Sequence, residues 1–320
     1  MEKVSSFDKL VVQGYAADSS LEALRIDLGR AKMAEGGKPM EGEKKKTPAQ
    51  LEICALMNVL TNNLRAEYGL LPFNVPVENI HVFGNNLHLE DGLEIGGMFD
   101  APGQLALVRE CRSNTEFADY LAHELIHFKS FGAVQLPSDG DNLDYHYRAG
   151  FAAHNRDGSR HFFHDVDEAL TEEMAKRLVE SLKASHHRLF EDETEETLRV
   201  QAEHRSNPNF STDIVIARHL EDSHPMRDRY KVMGTPYPYQ EEREILNSLI
   251  DKIFERNRQK FAKREEVFNL FAKGKLQGNF LGIGKVIEQT FGRGSFRKIG
   301  ELSSLEDAAE YRDYVKTLVD

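Results

Sequence analysis

Residues 113–132 constrain this chain more than any other stretch. Ser113 stands where a helix needs its N-cap, and Glu116, three positions on, completes a capping box. Phe117, Leu121, Leu125 and Phe128 follow at the spacing of one buried helical face, and Gly132 closes the run. Such a helix has to lie against a core. It also carries His123-Glu124-Leu125-Ile126-His127, with both histidines off the apolar face. Positions i and i+4 sit one turn apart on one side of a helix, so two imidazoles can reach a single ion. Glu124 lies beside them, placed to take a proton from a metal-bound water as general base.

Two neutral imidazoles and a carboxylate suit zinc, and a catalytic site leaves a fourth position open. One Zn2+ per chain is therefore expected, and the third ligand decides the class. A metzincin continuation needs glycine at 130 and histidine at 133, where this chain has Ser130 and Ala133. Downstream, Asp167-Glu168-Ala169-Leu170-Thr171-Glu172 offers one carboxylate at the start of a second helix and another a turn later.

With HExxH followed by this second acidic motif, the sequence resembles the gluzincins, the thermolysin-like zinc metallopeptidases. The resemblance covers about 104–180. It implies Glu168 as third ligand and Glu172 as the carboxylate orienting His123, a carboxylate–histidine–zinc arrangement that is also expected on physical grounds. The chain departs from the family pattern in having Asp167 where Asn is commoner, and Glu172 where Asp is frequent. The 41-residue interval from His127 to Glu168 is longer than in thermolysin, as in small bacterial gluzincins, and contains a hairpin signal at Asp157-Gly158. Acidic residues also favour a helix's first turn for its dipole alone, and His164, Asp165 and Glu172 are other third-ligand candidates.

The resemblance further implies an edge strand above the active-site helix that pairs with substrate backbone, and Gln104–Val108 is the candidate, although it reads equally as a core strand. It also implies a Tyr or His from the C-terminal half that stabilises the developing oxyanion. Tyr237 and Tyr239 are the foremost candidates, followed by Tyr230, His219 and His224, although Pro236–Tyr239 reads equally as a packed turn. His154, His161 and His164 gather around the hairpin and are read as surface or supporting residues in preference to a second metal site. His186-His187 ends a helix and suits its dipole. Gly282, Gly284, Gly292 and Gly294 form no phosphate loop.

The rest of the chain frames this centre. Residues 1–46, with Gly36-Gly37, Pro39, Gly42 and Lys44-Lys45-Lys46, read as a loosely structured segment. If it lay in the cleft it would keep the enzyme latent. Thr47, Pro48 and Gln50 start a helix, with Leu51, Cys54, Ala55, Leu56, Val59, Leu60 and Leu64 as its apolar face and Gly69 as its stop. Strands are expected at Ile80–Phe83 and Gln104–Val108, with a turn at Asp91-Gly92. Helices are expected over about 166 to the 180s, 211–222, 240–262, a stretch to about 290, and 303–318, with the acidic tract at 191–199 solvated. This predicts an α+β fold. A small twisted mixed sheet, a backing helix and the motif helix (47–165) precede a mainly helical half (166–320), zincin-like by the resemblance.

Forty-one Lys and Arg stand against 53 Asp and Glu, a net charge of -12 that disfavours nucleic acid as a partner. Two cysteines make no disulfide framework, and Cys54 reads as a core residue. The N-terminus lacks a signal-peptide layout, and no run is apolar enough to span a membrane, so a cytoplasmic location is expected. The expected activity is hydrolysis of a peptide or protein. The alternatives are a zinc protein with a structural or binding role, or a zinc hydrolase of a small amide.

Overall fold

A computed structural model describes residues 10–13, 30–84, 95–111, 113–135, 145–155, 159–206, 213–220, 230–304 and 308–319. Two helices form the floor of the first half. Helix α1 (Pro48–Glu67) has the expected capping box between Thr47 and Gln50, and it stops at Gly69, whose φ of 73° suits glycine. Its buried side is narrower than the sequence suggests. Ile53, Cys54 and Met57 are in the core, while Leu51 and Val59 are exposed. Helix α2 (Asn114–Lys129) is capped by Ser113, which accepts from the Glu116 N–H, but the expected box does not close, because the Glu116 carboxylate accepts from Arg109 and Tyr120 instead.

A four-stranded mixed sheet lies over these helices. Its strands are β2 (Glu43–Lys44), β3 (Ile80–Phe83), β4 (Gly97–Asp100) and β5 (Leu105–Arg109), ordered β2-β3-β5-β4. β3 and β5 run parallel, and β4 returns antiparallel to β5. The period of two is plain in β5. Ala106 and Val108 join the main core with Phe117 and Leu121, while Leu105 and Leu107 pack on the other face with Met98 and Ile95. The expected edge strand is thereby corrected. β5 lies inside the sheet, and β4 is the edge among the described residues.

A second sheet, ordered β1-β6-β7-β8-β9, comprises β1 (Leu10–Gln13), β6 (Gly132–Gln135), β7 (Tyr145–Ala149), β8 (Ala152–His154) and β9 (His161–Phe162). β1 pairs in parallel with β6, residues 30–36 include helix, and β2 joins the first sheet. The expectation of a loose first 46 residues thus fails at these points, because strand pairing with distant partners is invisible to local composition. The turns at 91–92 and 157–158 fall outside the described residues, although β8 and β9 do pair antiparallel around the latter.

Helix α3 (His164–Ser185) then packs on α2, and α4 (Glu191–Ser206) follows. The acidic tract is not simply solvated, since Glu193 is buried. Residues 214–220 are not helical as expected. β10 (Ile214–Leu220) and β11 (Tyr230–Pro236) form an antiparallel ribbon, where Ile214 and Val215 have the pleated surface that β-branched residues favour. Helices α5 (Gln240–Arg256), α6 (Arg264–Gln277), α7 (Phe280–Phe291), α8 (Ser295–Leu302) and α9 (Ala308–Val319) complete the fold. One apolar core runs unbroken from Ile53 of α1 to Val315 of α9, across residue 165. The fold is mixed α+β. Among the described residues, no helix is long and apolar enough to cross a membrane.

Candidate metal centre

The helical repeat of α2 turns His123 and His127 to one side, and their Nε2 atoms lie 3.1 Å apart. Glu168, in the first turns of α3, reaches the same point. Its Oε2 is 3.1 Å from His123 Nε2 and 3.3 Å from His127 Nε2. Zinc with bonds of 2.0–2.1 Å in tetrahedral geometry holds its ligand atoms about 3.3 Å apart, so this donor set fits the ion. Among the described residues, no other group of three or more His, Cys, Asp or Glu brings its donor atoms together in this way.

The far side of each imidazole is anchored. His123 Nδ1 donates to Glu172 Oε2 at 2.8 Å, so the longer arm of Glu172 is accommodated. His127 Nδ1 lies 3.3 Å from Asp167 Oδ2. Asp167 Oδ1 accepts from the Phe151 backbone N–H at 2.6 Å and pairs with Lys275 Nζ, a fully buried ammonium, at 2.7 Å. Gly150 leaves room for this junction. Its φ is 60°, and a Cβ there would sit 2.4 Å from Asp167 Oδ1.

Burial would lower both histidine pKa values. Hydrogen bonds to Glu168 and Glu172 instead carry His123 well above the usual range, and the charge of Glu168 raises His127. The same pairing outweighs burial at Glu168, which stays ionised far below the ordinary carboxylate range. Asp167, against Lys275 and His127, falls to about 2. These are the protons and charges of the metal-free centre, and a cation binding there displaces the imidazole protons.

Glu124 lies beside the cluster under the edge strand. A Cβ on Gly97 of β4 would come within 2.6 Å of Glu124 Oε1, so only glycine lets the strand pass this close. Burial raises the Glu124 pKa to about 7 against the pull of His123 and His127. That value suits a group exchanging protons near neutrality.

The structure separates the two tyrosine candidates. Tyr239 lines the cavity around the cluster and stacks on the His123 ring, with centroids 5.8 Å apart and planes at 17°. Its φ of 54° is left-handed at the N-cap of α5, a conformation kept by non-glycine residues mainly where it positions something. Burial and the negative charge of Glu168 keep its phenol protonated. Tyr237 is buried instead in a separate cavity with Thr115 and Asp213, between Lys176 and Arg243. Tyr230 and His219 lie on the β10–β11 ribbon, and His224 is outside the described residues. Of the alternative ligands, Glu172 and Asp165 do not join the cluster, and His164 stays 4.0 Å from Glu168 Oε1. His186 ends α3 as its C-cap.

Two supports escaped the sequence reading. Asp119, one turn before His123, is buried, and burial reinforced by the charge of Glu172 keeps it protonated. The one-turn offset is a signal that local spacing carries. Glu193 accepts from the backbone N–H groups of Asn114 and Thr115 and from the hydroxyls of Ser113 and Thr115, closing the positive end of α2. Nothing local at 193 announces that role.

The cluster opens into a cavity of about 390 Å3. A neighbouring cavity of about 330 Å3 shares Met98, Phe99, Ala101, Ala149 and His154 with it. One wall is β4, and the other is the turn of chain through Ala149, Ala152 and His154. Comparison with protein-family models, curated proteins and solved structures found no match.

Proposed function

We propose that this protein is a zinc-dependent metallopeptidase of the gluzincin type, holding one zinc through His123, His127 and Glu168. The observation that carries this reading is the convergence of three donor atoms at 3.1–3.3 Å from two helices, with Glu124 at their side. A purely structural site has no need of Glu124. The outer edge that β4 presents among the described residues and the two adjoining cavities favour an extended peptide over a small amide.

When bound, zinc supplies a Lewis acid that polarises the scissile carbonyl and acidifies water. Backbone groups of β4 hold the substrate chain as an added strand. Glu124 takes a proton from the attacking water and hands it to the leaving amine. The phenol of Tyr239 donates to the oxyanion as charge develops on the carbonyl oxygen. Glu172 and Asp167 keep each imidazole turned so that Nε2 faces the metal.

The test is zinc per chain in wild type and Glu168→Ala, with peptide-library cleavage by wild type and Glu124→Gln. About one zinc, lost in Glu168→Ala, is expected. Glu124→Gln should keep its zinc and lose roughly 10²–10⁴ in kcat, the range for general acid–base catalysis. A wild type that takes up no zinc, or a Glu124→Gln protein as active as wild type, would sink the proposal.

A further inference from the structure

The same cavity contains three histidines that the metal centre does not use. His154 of β8 and His161 of β9 are register partners, with ring centroids 4.3 Å apart and planes at 76°. The chain then turns through Phe163, in the left-handed region at φ 58°, so that His164 opens α3. All three line the cavity alongside Glu168.

Directly opposed residues on antiparallel strands have Cβ atoms about 4.5–5.5 Å apart. Two imidazoles so placed can grip one ion between them, and neutral imidazole is the commonest metal ligand. Burial, then the neighbouring His161 and His164, hold the His154 pKa below the ordinary histidine range. His164 is half-exposed. Carboxylates flank it, with Asp165 Oδ1 3.6 Å from Nδ1 and Glu168 Oε1 4.0 Å from Nε2, and both attract a cation. Arg148 lines the adjoining cavity with His154. Its guanidinium lies on the Phe280 ring at 3.6 Å and donates to the Gly150 and Gly278 carbonyls.

We propose that His154, His161 and His164 form a second, weaker site for a divalent cation of the zinc, nickel or copper class, at the mouth of the cleft. His154 and His161 are the preformed pair, His164 closes on the ion, and water completes the shell. The site lacks the two carboxylate anchors that orient His123 and His127. Each such anchor is worth about 10–100-fold in affinity, so the second site should be roughly 10²–10⁴-fold weaker than the first. An ion there narrows the cavity that leads to Glu124, so excess metal inhibits. Only this inhibition rests on the peptidase reading, since the binding itself does not.

The experiment is a zinc titration of the chelator-stripped full chain by calorimetry, with bound zinc counted after equilibrium dialysis. Wild type, Glu168→Ala, His161→Ala and the His154→Ala/His161→Ala double variant are compared. Two equivalents are expected in wild type. Glu168→Ala should lose the tight one alone. The double variant should lose the weak one alone, as should His161→Ala, whose side chain is exposed and whose loss the fold tolerates. A wild type that saturates at one equivalent up to millimolar zinc overturns the proposal, and so does a second equivalent that survives in the double variant. Peptide cleavage should fall more than tenfold as the weak site fills in wild type, and not in the double variant. Two equivalents with these assignments and no cleavage by any variant would uphold the site and remove the peptidase reading.

Discussion

His123 and His127 project from the middle of a buried helix, each ring pinned through Nδ1 by a carboxylate that is itself buried. His154, His161 and His164 line the same cavity from a hairpin and a helix start, and His161 and His164 are exposed. The first group already brings its donor atoms to one point, whereas in the second only the His154 and His161 rings are in contact. The groups also differ in what stands behind them. The first group is held by an ion pair reaching through Asp167 to Lys275 on α6, the second by a two-residue strand and the opening turn of a helix. Preorganisation depends on the residues behind the ligands as much as on the ligands.

That contrast can be broken at several points. The largest stability effect should come from Lys275→Met, which leaves the buried Asp167 carboxylate without its cation. Removing one partner of a buried pair costs about 3–5 kcal/mol. His161→Ala, on the exposed hairpin, should stay within about 0.5 kcal/mol of wild type. Chemical denaturation of the two variants compares them directly, and equal midpoints would mean that the Asp167–Lys275 pair does not brace the centre.

Next in size is Tyr239→Phe. Loss of one oxyanion donor lowers kcat by about 10²–10³, with zinc content unchanged. Tyr237→Phe, in the other cavity, should leave kcat alone. Steady-state kinetics of the pair would reverse the assignment if the Tyr237 variant were the slower.

Glu172→Gln should weaken zinc binding by about 10–100-fold, read by competition with a chromophoric chelator. Unchanged affinity would show that the His123 anchor contributes nothing.

The smallest effect is graded with pH. His123 and His127 have raised folded pKa values, so their contribution to the metal-free protein is full below about 6.5 and is lost as pH rises through those values. Glu168 and Asp167 are depressed, so theirs is present above the ordinary carboxylate range and is lost only as pH falls through their folded values. Zinc therefore competes with the imidazole protons that the raised histidine values retain. Its affinity should rise about tenfold per pH unit for each proton displaced, and the thermal shift it produces should grow between pH 6 and 9. A shift independent of pH would contradict a protonated pair in the metal-free centre.

Much of the centre is legible in the linear chain because its spacing is helical. HExxH places two rings one turn apart, and Glu168 and Glu172 are likewise one turn apart on a second helix. The caps of α1 and α2 involve neighbours three residues apart and were equally readable. The ribbon at 214–220 was misread as helix, since a short apolar run of this length does not separate the two periods.

What the sequence by itself determined is the N-caps of α1 and α2 and the chemical groups that α2 and α3 carry one turn apart. Only the tertiary structure decided which of those groups meet. Lys275 reaches Asp167 across 108 residues, Glu193 closes α2 from 78 or more residues away, and β4, not β5, became the edge. The physical reason is range. Capping and periodicity act through hydrogen bonds and contacts within one or two turns, whereas charge pairing in a core and strand order depend on how distant segments share a single buried volume.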